Sequence, residues 1–315
     1  MSTHISKVSD NIEALPSVYS TLSVAEIIDN LMSAMNSSGE LIVGLMPSKN
    51  VCNEEIFNEF WQLHTALIVY HYDAVMLMRY SLLSALTGYY SVAFSELRNA
   101  LESVIRGIIF DLLAIPQYRK NAVNLKKING FKAAKSFKEL LELIEKEIGD
   151  SRIVPSAYLF DLMESKLTDF NPSAAFAKLL EQLKNWGIID GHLFKIIHDY
   201  YSELSGHAHR VHPRFLETGA RIATYRDWIE LEPVPEYLLK YLNKFIDVSG
   251  IITYLVLRVF SIDLANDQYL RCVDWKEVAN IDNELARLSR EYLCWQKVKE
   301  LVESLKQHPN NIAEN

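Results

Sequence analysis

Apolar residues recur at spacings of three and four along most of the chain. This is the pattern of helices that bury one face against a core. Alternating apolar and polar residues between turn signals, which would indicate strands, are nearly absent. The sequence therefore predicts an all-α fold.

Two long helices are predicted to form the centre of a bundle. The first begins at Asn53, a residue type that caps helix N-termini, and runs to a break at Gly88. The second has apolar residues at helical spacing over 90–112 and stops before Pro116, because proline interrupts the hydrogen bonds of a helix. Their length makes them the spine of the predicted bundle.

Shorter stretches of the same pattern predict the other helices. A first helix covers 24–35 and is ended by Ser37-Ser38-Gly39, since small polar residues favour turns. Gly149 closes another helix as a C-terminal cap. The further predicted ranges are 135–148, 157–167, 173–186, 188–206, a long apolar helix from Pro235 to about 259, and 275–305.

The spacing of these helices predicts four parts. Residues 1–50 would be an N-terminal helical extension, and 51–262 a helical bundle with an irregular insertion at 211–235, where prolines and Gly219 interrupt the pattern. One helical stretch or a short strand is expected at about 221–231. Residues 263–306 would be a C-terminal helical arm for packing or dimerisation, and 307–315 a polar, disordered tail.

Composition is that of a globular protein, with 49% hydrophobic residues among 315. The longest run without charge, 80–95, is interrupted by Gly88 and is shorter than the roughly 20 apolar residues of a membrane span. The chain does not open on a basic region followed by an apolar block. We therefore expect no membrane contact and a cytoplasmic location.

Charge is unevenly distributed along the chain. The net charge of −8 opposes non-specific binding to nucleic acid. Between Asp111 and Glu139, however, every charged residue is basic: Arg119, Lys120, Lys126, Lys127, Lys132, Lys135 and Lys138. Such a run is either a solvated linker and helix face or a strip that contacts phosphate groups.

Residues capable of chemistry concentrate in two segments. Arg98 and Glu102 lie one helical turn apart at the edge of an apolar stripe, in an order that is unfavourable for an exposed pair. Much later, Tyr201, Ser205 and His209 recur every four residues and would share one face of a helix, with His212 three residues further on. Near pH 7 a histidine can accept a proton, donate one or bind phosphate. The alternatives are a boundary salt bridge for the first pair and a structural hydrogen bond for His209.

Other chemistries fit the pattern less well. His207, His209 and His212 have a spacing seen in metal sites, but residues two apart on a helix point in nearly opposite directions, and no Asp or Cys completes the set. Ser205 lacks the glycine-flanked turn of a serine nucleophile, and no glycine-rich phosphate loop occurs. The three cysteines are odd in number and widely spaced, which argues against disulfides and structural zinc. No metal or cofactor is expected.

Together the two segments resemble a group of HEPN-like bacterial proteins (higher eukaryotes and prokaryotes nucleotide-binding). The resemblance lies in Arg98-x-x-x-Glu102 and in Tyr201-x-x-Leu-Ser205-x-x-x-His209, and it covers about 61–214. It implies an up-down helical bundle, here with additional N- and C-terminal helices. HEPN-like bundles are commonly dimeric, often belong to toxin or phage-defence systems, and in many cases cut RNA without a metal.

The chain departs from the catalytic members in one respect. In those members an arginine precedes the histidine by five to seven positions, whereas here these positions before His209 hold Ser202, Glu203 and Leu204. Arg98, from the neighbouring helix, would have to supply the guanidinium group.

The resemblance implies a metal-independent endoribonuclease, or an RNA- or nucleotide-binding component of such a system, that works as a homodimer with a partner protein. His209 would be its general acid or base, Arg98 would stabilise charge on the phosphate, and Glu102 would orient one of them. The expected substrate contacts are Tyr201, Ser205, Arg210, His212, Lys126 and Lys127. The alternatives are a non-catalytic dimeric module whose polar cluster is structural, and nucleotide binding without turnover.

Overall fold

The computed structural model describes residues 25–86, 88–127, 137–149, 153–166, 176–208, 235–265 and 267–307. Within these ranges the chain is helical without a strand, apart from an isolated bridge between Pro47 and Val273, so the all-α prediction is confirmed. The helices are α1 (Ala25–Gly44), α2 (Glu54–Leu63), α3 (Thr65–Leu86), α4 (Tyr90–Leu113), α5 (Pro116–Lys120), α6 (Phe137–Ile148), α7 (Ser156–Lys166), α8 (Phe176–Asn185), α9 (Gly191–Ala208), α10 (Pro235–Leu264), α11 (Asp267–Leu270), α12 (Trp275–Ala279), α13 (Asp282–Glu291) and α14 (Leu293–Lys306).

The antiparallel pair α3 and α4 forms the centre that the sequence predicts. Gly88 turns the chain between them with a φ of +83°, a conformation that glycine adopts without steric cost. After Glu102, every residue of α4 except Arg106 is buried. The two helices approach closely at Gly107, where a Cβ atom would lie 2.7 Å from the Cβ of Tyr70.

A second core helix, α10, packs against α1, α3, α4 and α14. The hydroxyl oxygens of Tyr241 and Ser81 lie 2.6 Å apart and tie α10 to α3. By length and composition alone, 238–264 could cross a bilayer, but 72% of its most apolar part is buried among other helices. That is the environment of a core helix, so the composition of α10 is weak evidence for a membrane span.

The first helix is longer than predicted, because Ser37-Ser38-Gly39 does not end it. Ser37 and Ser38 are buried, and the Thr253 hydroxyl of α10 donates a 2.7 Å hydrogen bond to Ser38 Oγ. The segment Ser37-Ser38-Gly39, which the sequence predicts to be a turn, therefore lies within α1 where that helix packs on α10.

The predicted helix from Asn53 to Gly88 is interrupted at His64, whose backbone leaves the helical conformation with φ −104° and ψ 14°. Its N-terminus is confirmed, since the backbone N–H of Ile56 donates to Asn53 Oδ1 at 2.9 Å. The interruption separates α2 from α3 and lies where the His64 side chain turns into the core.

The predicted single helix over 275–305 is wrong, because the chain forms α12, α13 and α14 there. Tyr292 is extended, with φ −123° and ψ 117°, which lets α14 fold back along α13. Trp295 is fully buried, and its indole N–H donates to the carbonyl of Ile246 at 3.1 Å. These helices pack on α1 and α10, and the expected boundary at 262 falls inside α10.

Outside the described residues lie the first 24 residues, the predicted insertion from 211 up to the start of α10 at Pro235, and the predicted tail from 308 onward. Short parts of three predicted helices also lie outside them: 135–148, 157–167 and 173–186.

Candidate functional site

Glu102 lies at the centre of a polar group where α4 meets α9. Arg98 Nε is 3.4 Å from Glu102 Oε1, and the Arg106 guanidinium donates to Glu102 Oε2 at 2.8 Å. The three residues share one face of α4 because they are spaced by four.

Tyr201 of α9 completes this group, which we call the Glu102 cluster (Arg98, Glu102, Arg106 and Tyr201). The Tyr201 hydroxyl donates a hydrogen bond to Glu102 Oε1 at 2.8 Å. Its ring stacks on Phe176 of α8 with ring centres 3.7 Å apart and planes 6° from parallel. Burial raises the pKa of the Tyr201 phenol to about 12, and the bond to Glu102 adds to this rise. At neutral pH Tyr201 is therefore a hydrogen-bond donor.

The Glu102 cluster carries net positive charge at a partly open position. Two guanidinium groups face one carboxylate, and the Arg98 and Glu102 side chains are each 16% exposed, against 28% for Arg106. Guanidinium groups bind phosphate and carboxylate oxygens strongly, even when partly desolvated. The arrangement can thus hold one anion beside α4.

Four predicted site residues come together in the structure. Arg98, Glu102 and Tyr201 are in contact, and Ser205 lies one turn after Tyr201 on the same face of α9. Since α9 ends at Ala208, the other three predicted residues of this segment lie outside the described residues: His209, Arg210 and His212.

Of the predicted basic strip over 119–138, the structure describes the side chains of Arg119, Lys120, Lys126 and Lys138, and Arg119 is buried. Lys126 is exposed and follows a turn at Asn124, whose backbone N–H donates a 2.9 Å hydrogen bond to Gln182 Oε1 of α8. Lys127 belongs to the short 3-10 helix Leu125–Lys127, and its side chain is outside the described part. Lys138 is exposed and lies 3.7 Å from Glu142.

Two residues of this site, Arg106 and Phe176, were not predicted from the sequence. Arg106 follows Glu102 by four residues, in the favourable order of acid before base, so the spacing alone could have indicated it. Phe176 carries no such signal, because its contact with Tyr201 depends on how α8 packs.

A second polar group, also missed, is buried at the junction of α2 and α3. His64 Nδ1 lies 2.5 Å from Asp111 Oδ2 of α4, and Nε2 lies 3.0 Å from Asp263 Oδ2 of α10. The Nε2 contact has ion-pair distance without the alignment of a hydrogen bond. His64 and Asp111 are each 2% exposed and Asp263 is 26% exposed.

The electrostatics of this group make His64 a cation. Burial alone would lower the pKa of His64, but Asp111 and Asp263 outweigh it and raise the pKa to about 9. A buried imidazolium therefore links the α2–α3 junction to α4 and α10. The sequence around His64 is apolar and does not predict contacts with Asp111 and Asp263, which are distant in sequence.

The described ranges also contain possible metal ligands and cysteine thiols. No group of three or more His, Cys, Asp or Glu side chains there is arranged to hold a metal ion. Burial raises the pKa of both Cys272 and Cys294 to about 12, so these thiols stay protonated at neutral pH.

Comparison with known proteins finds no matching family model, no matching curated protein and no matching solved structure.

Proposed function

We propose that the chain is an HEPN-like, RNA-directed protein that cuts RNA without a metal ion, with the Glu102 cluster as its phosphate-binding half. One observation supports this most directly: the hydrogen bond from Tyr201 to Glu102. It holds two arginines of α4 beside α9, whose last residue, Ala208, immediately precedes His209. Acid–base cleavage of a phosphodiester requires at least a cationic group for the phosphate and a residue that can transfer a proton, such as a histidine.

Each residue has a distinct role in this proposal. His209 takes the proton from a ribose 2′-hydroxyl or returns one to the leaving oxygen. Arg98 stabilises the charge that develops on the phosphate oxygens, while Glu102 holds the guanidinium in place. The sequence predicts that Tyr201 holds the phosphate. In this proposal it is instead a positioning residue, because its hydroxyl donates a hydrogen bond to Glu102. Ser205, Arg210, His212, Lys126 and Lys127 remain proposed RNA contacts.

The biological setting of this activity is proposed from the resemblance. A homodimer in the cytoplasm, working with a partner protein of a toxin or phage-defence system, would match the group that the motifs resemble. The low overall charge means that RNA would be bound locally rather than along the whole surface.

A non-catalytic helical module is the second candidate, and one observation favours it. Glu102 Oε1 accepts a hydrogen bond from Tyr201 and lies close to Arg98 Nε, and Glu102 Oε2 accepts a hydrogen bond from Arg106. The Tyr201 ring is covered by Phe176. Such a satisfied network can fix the register of α4 against α9 without any chemistry.

Incubation of total RNA with the purified protein in EDTA tests the proposal. We expect the unaltered protein to cut RNA, and His209→Ala to be about 10²–10⁴-fold slower, the usual contribution of a general acid or base. Arg98→Ala should also cut slowly, because it removes the proposed stabilising charge.

His198→Ala is the matched control, since His198 is another histidine of this part of the sequence, lies on α9 and has a side chain that is 46% exposed. His198→Ala should cut RNA at the same rate as the unaltered protein. Cleavage by His209→Ala at the unaltered rate would remove the catalytic assignment. Absence of cleavage and of RNA binding by the unaltered protein would favour the helical module.

A further inference from the structure

Two of the three cysteines, far apart in the sequence, lie on turns that meet in the structure. Cys52 directly precedes Asn53, the residue that caps α2, and Cys272 follows the end of α11 by two residues. The spacing of the cysteines along the sequence does not predict this proximity.

The backbones of the two turns are held against each other. Pro47 and Val273 form an isolated antiparallel bridge, and the backbone N–H of Ser48 donates a 2.8 Å hydrogen bond to the carbonyl of Cys272. The carbonyl of Ser48 in turn accepts a hydrogen bond from the backbone N–H of Cys52 at 3.0 Å. Ser48 is therefore bonded to both cysteine residues, which brings their side chains to the same place.

The helices next to these turns also pack on each other. The rings of Phe60 on α2 and Tyr269 on α11 meet edge to face, with their centres 5.5 Å apart. Phe60 is fully buried and Tyr269 is 5% exposed. Because each cysteine is attached to an element that belongs to the core, the fold fixes the distance between them.

The two thiols are in hydrogen-bonding contact, and they differ in their access to solvent. Cys272 is 4% exposed, whereas Cys52 is half-buried. Burial raises the pKa of the Cys272 thiol to about 12, and the contact with Cys52 adds to this rise, so Cys272 is protonated at neutral pH. An oxidant from solution therefore reaches Cys52 first, with Cys272 enclosed beside it.

We propose that Cys52 and Cys272 form a reversible disulfide on exposure to hydrogen peroxide, and that this bond stabilises the fold. The Cys52 sulfur attacks one peroxide oxygen, the O–O bond breaks, and Cys52 becomes a sulfenic acid as one water leaves. The Cys272 sulfur then attacks the Cys52 sulfur and the S–O bond breaks. The departing hydroxide takes the Cys272 proton and leaves as a second water. The two thiols lose two electrons to the peroxide.

The disulfide joins the turn before α2 to the turn after α11, and so closes a loop over most of the chain. A bond that closes a long loop restricts the unfolded chain and thereby favours the folded one. For a protein in the cytoplasm, as proposed above, such a bond forms under oxidative conditions and is reduced again by cellular thiols.

Mild oxidation of the folded protein with hydrogen peroxide tests the proposal. The thiols counted after unfolding in urea should fall from three to one. Proteolysis without reductant should give a linked pair of peptides that contain Cys52 and Cys272, two hydrogen atoms lighter than the separate peptides together. The oxidised protein should melt at least about 5 °C above the reduced protein. Dithiothreitol should restore all three thiols and the lower melting temperature.

Single variants separate the roles of the two positions. Cys52→Ser should keep its two remaining thiols under the same treatment, because Cys272 is enclosed. Cys272→Ser should stop at the sulfenic acid of Cys52, which dimedone labels. Cys294→Ala is the matched control, since Cys294 lies on α14 against Gly250 of α10, and this variant should form the same linked peptides.

Four results would overturn the proposal. They are three thiols retained after oxidation, a sulfenic acid that persists at Cys52 of the unaltered protein, a disulfide to Cys294 or to a second chain, and a linked protein whose melting temperature is unchanged. None of these measurements involves RNA cleavage, so this proposal and the proposed function fail separately.

Discussion

The Tyr201 hydroxyl donates a 2.8 Å hydrogen bond to Glu102 Oε1 across 99 residues of sequence. This bond connects α9 to α4 and joins the two sequence motifs of the HEPN-like resemblance. Its removal tests what the cluster contributes to stability.

Tyr201→Phe should lower the free energy of unfolding by about 1–3 kcal/mol, the usual cost of losing a hydrogen bond to a charged group. The ring still stacks on Phe176, so the change isolates the hydroxyl. Urea unfolding measures the difference. Tyr80→Phe, at an exposed tyrosine of α3, serves as the control and should change stability very little. Equal stability of both variants would show that the Glu102 bond contributes nothing.

His64→Leu should destabilise the protein by about 3–5 kcal/mol, because it leaves the buried Asp111 carboxylate without its cation. The double variant His64→Leu, Asp111→Leu should regain much of this loss, since it removes the unpaired charge as well. Urea unfolding of the unaltered protein and these two variants compares their free energies of unfolding. If the double variant is less stable than His64→Leu, the buried pair is not the cause.

Stability should fall as the pH rises from 6.5 to about 9. The folded-state pKa of His64 is raised from 6.5 to about 9, so in this range the folded protein binds more protons than the unfolded chain. The contribution is complete below pH 6.5 and is lost on approaching pH 9, and it amounts to roughly 3 kcal/mol. Unfolding at several pH values measures it. His64→Leu should lack this slope, and a parallel slope in that variant would assign the effect to another group.

Gly107→Ala should destabilise the protein by about 1–3 kcal/mol, although alanine is the better helix former. The added Cβ would lie 2.7 Å from Tyr70 Cβ and 3.2 Å from Leu67 Cα, which forces α3 away from α4. Gly39→Ala in α1 is the matched control, because no atom lies within 4 Å of its added Cβ. It should raise stability by about 0.5–1 kcal/mol. Thermal unfolding compares the two variants, and a stabilised Gly107→Ala would contradict the close approach.

The helices with strong apolar spacing were predictable from the sequence, and so was part of the site. Arg98, Glu102 and Tyr201 were found because residues four apart share a helical face, and the same rule would have revealed Arg106. His64 was not predictable, because its partners Asp111 and Asp263 lie on other helices and local spacing says nothing of them.

The helix ends show the same division between local and tertiary causes. Gly88 and Gly149 end helices as predicted, with positive φ angles that their own chemistry permits. Ser37-Ser38-Gly39 does not, because burial against Thr253 overrides the turn preference of small polar residues. No glycine or proline near Tyr292 predicts the helix break there. The break follows from the packing of Trp295 on α10.

The position of α10 within the chain has a consequence for biosynthesis. The apolar faces of α1, α3 and α4 are closed by a helix that begins only at Pro235. Until the ribosome has released that helix, the nascent polypeptide keeps those faces uncovered, which is the state in which chains aggregate or recruit chaperones.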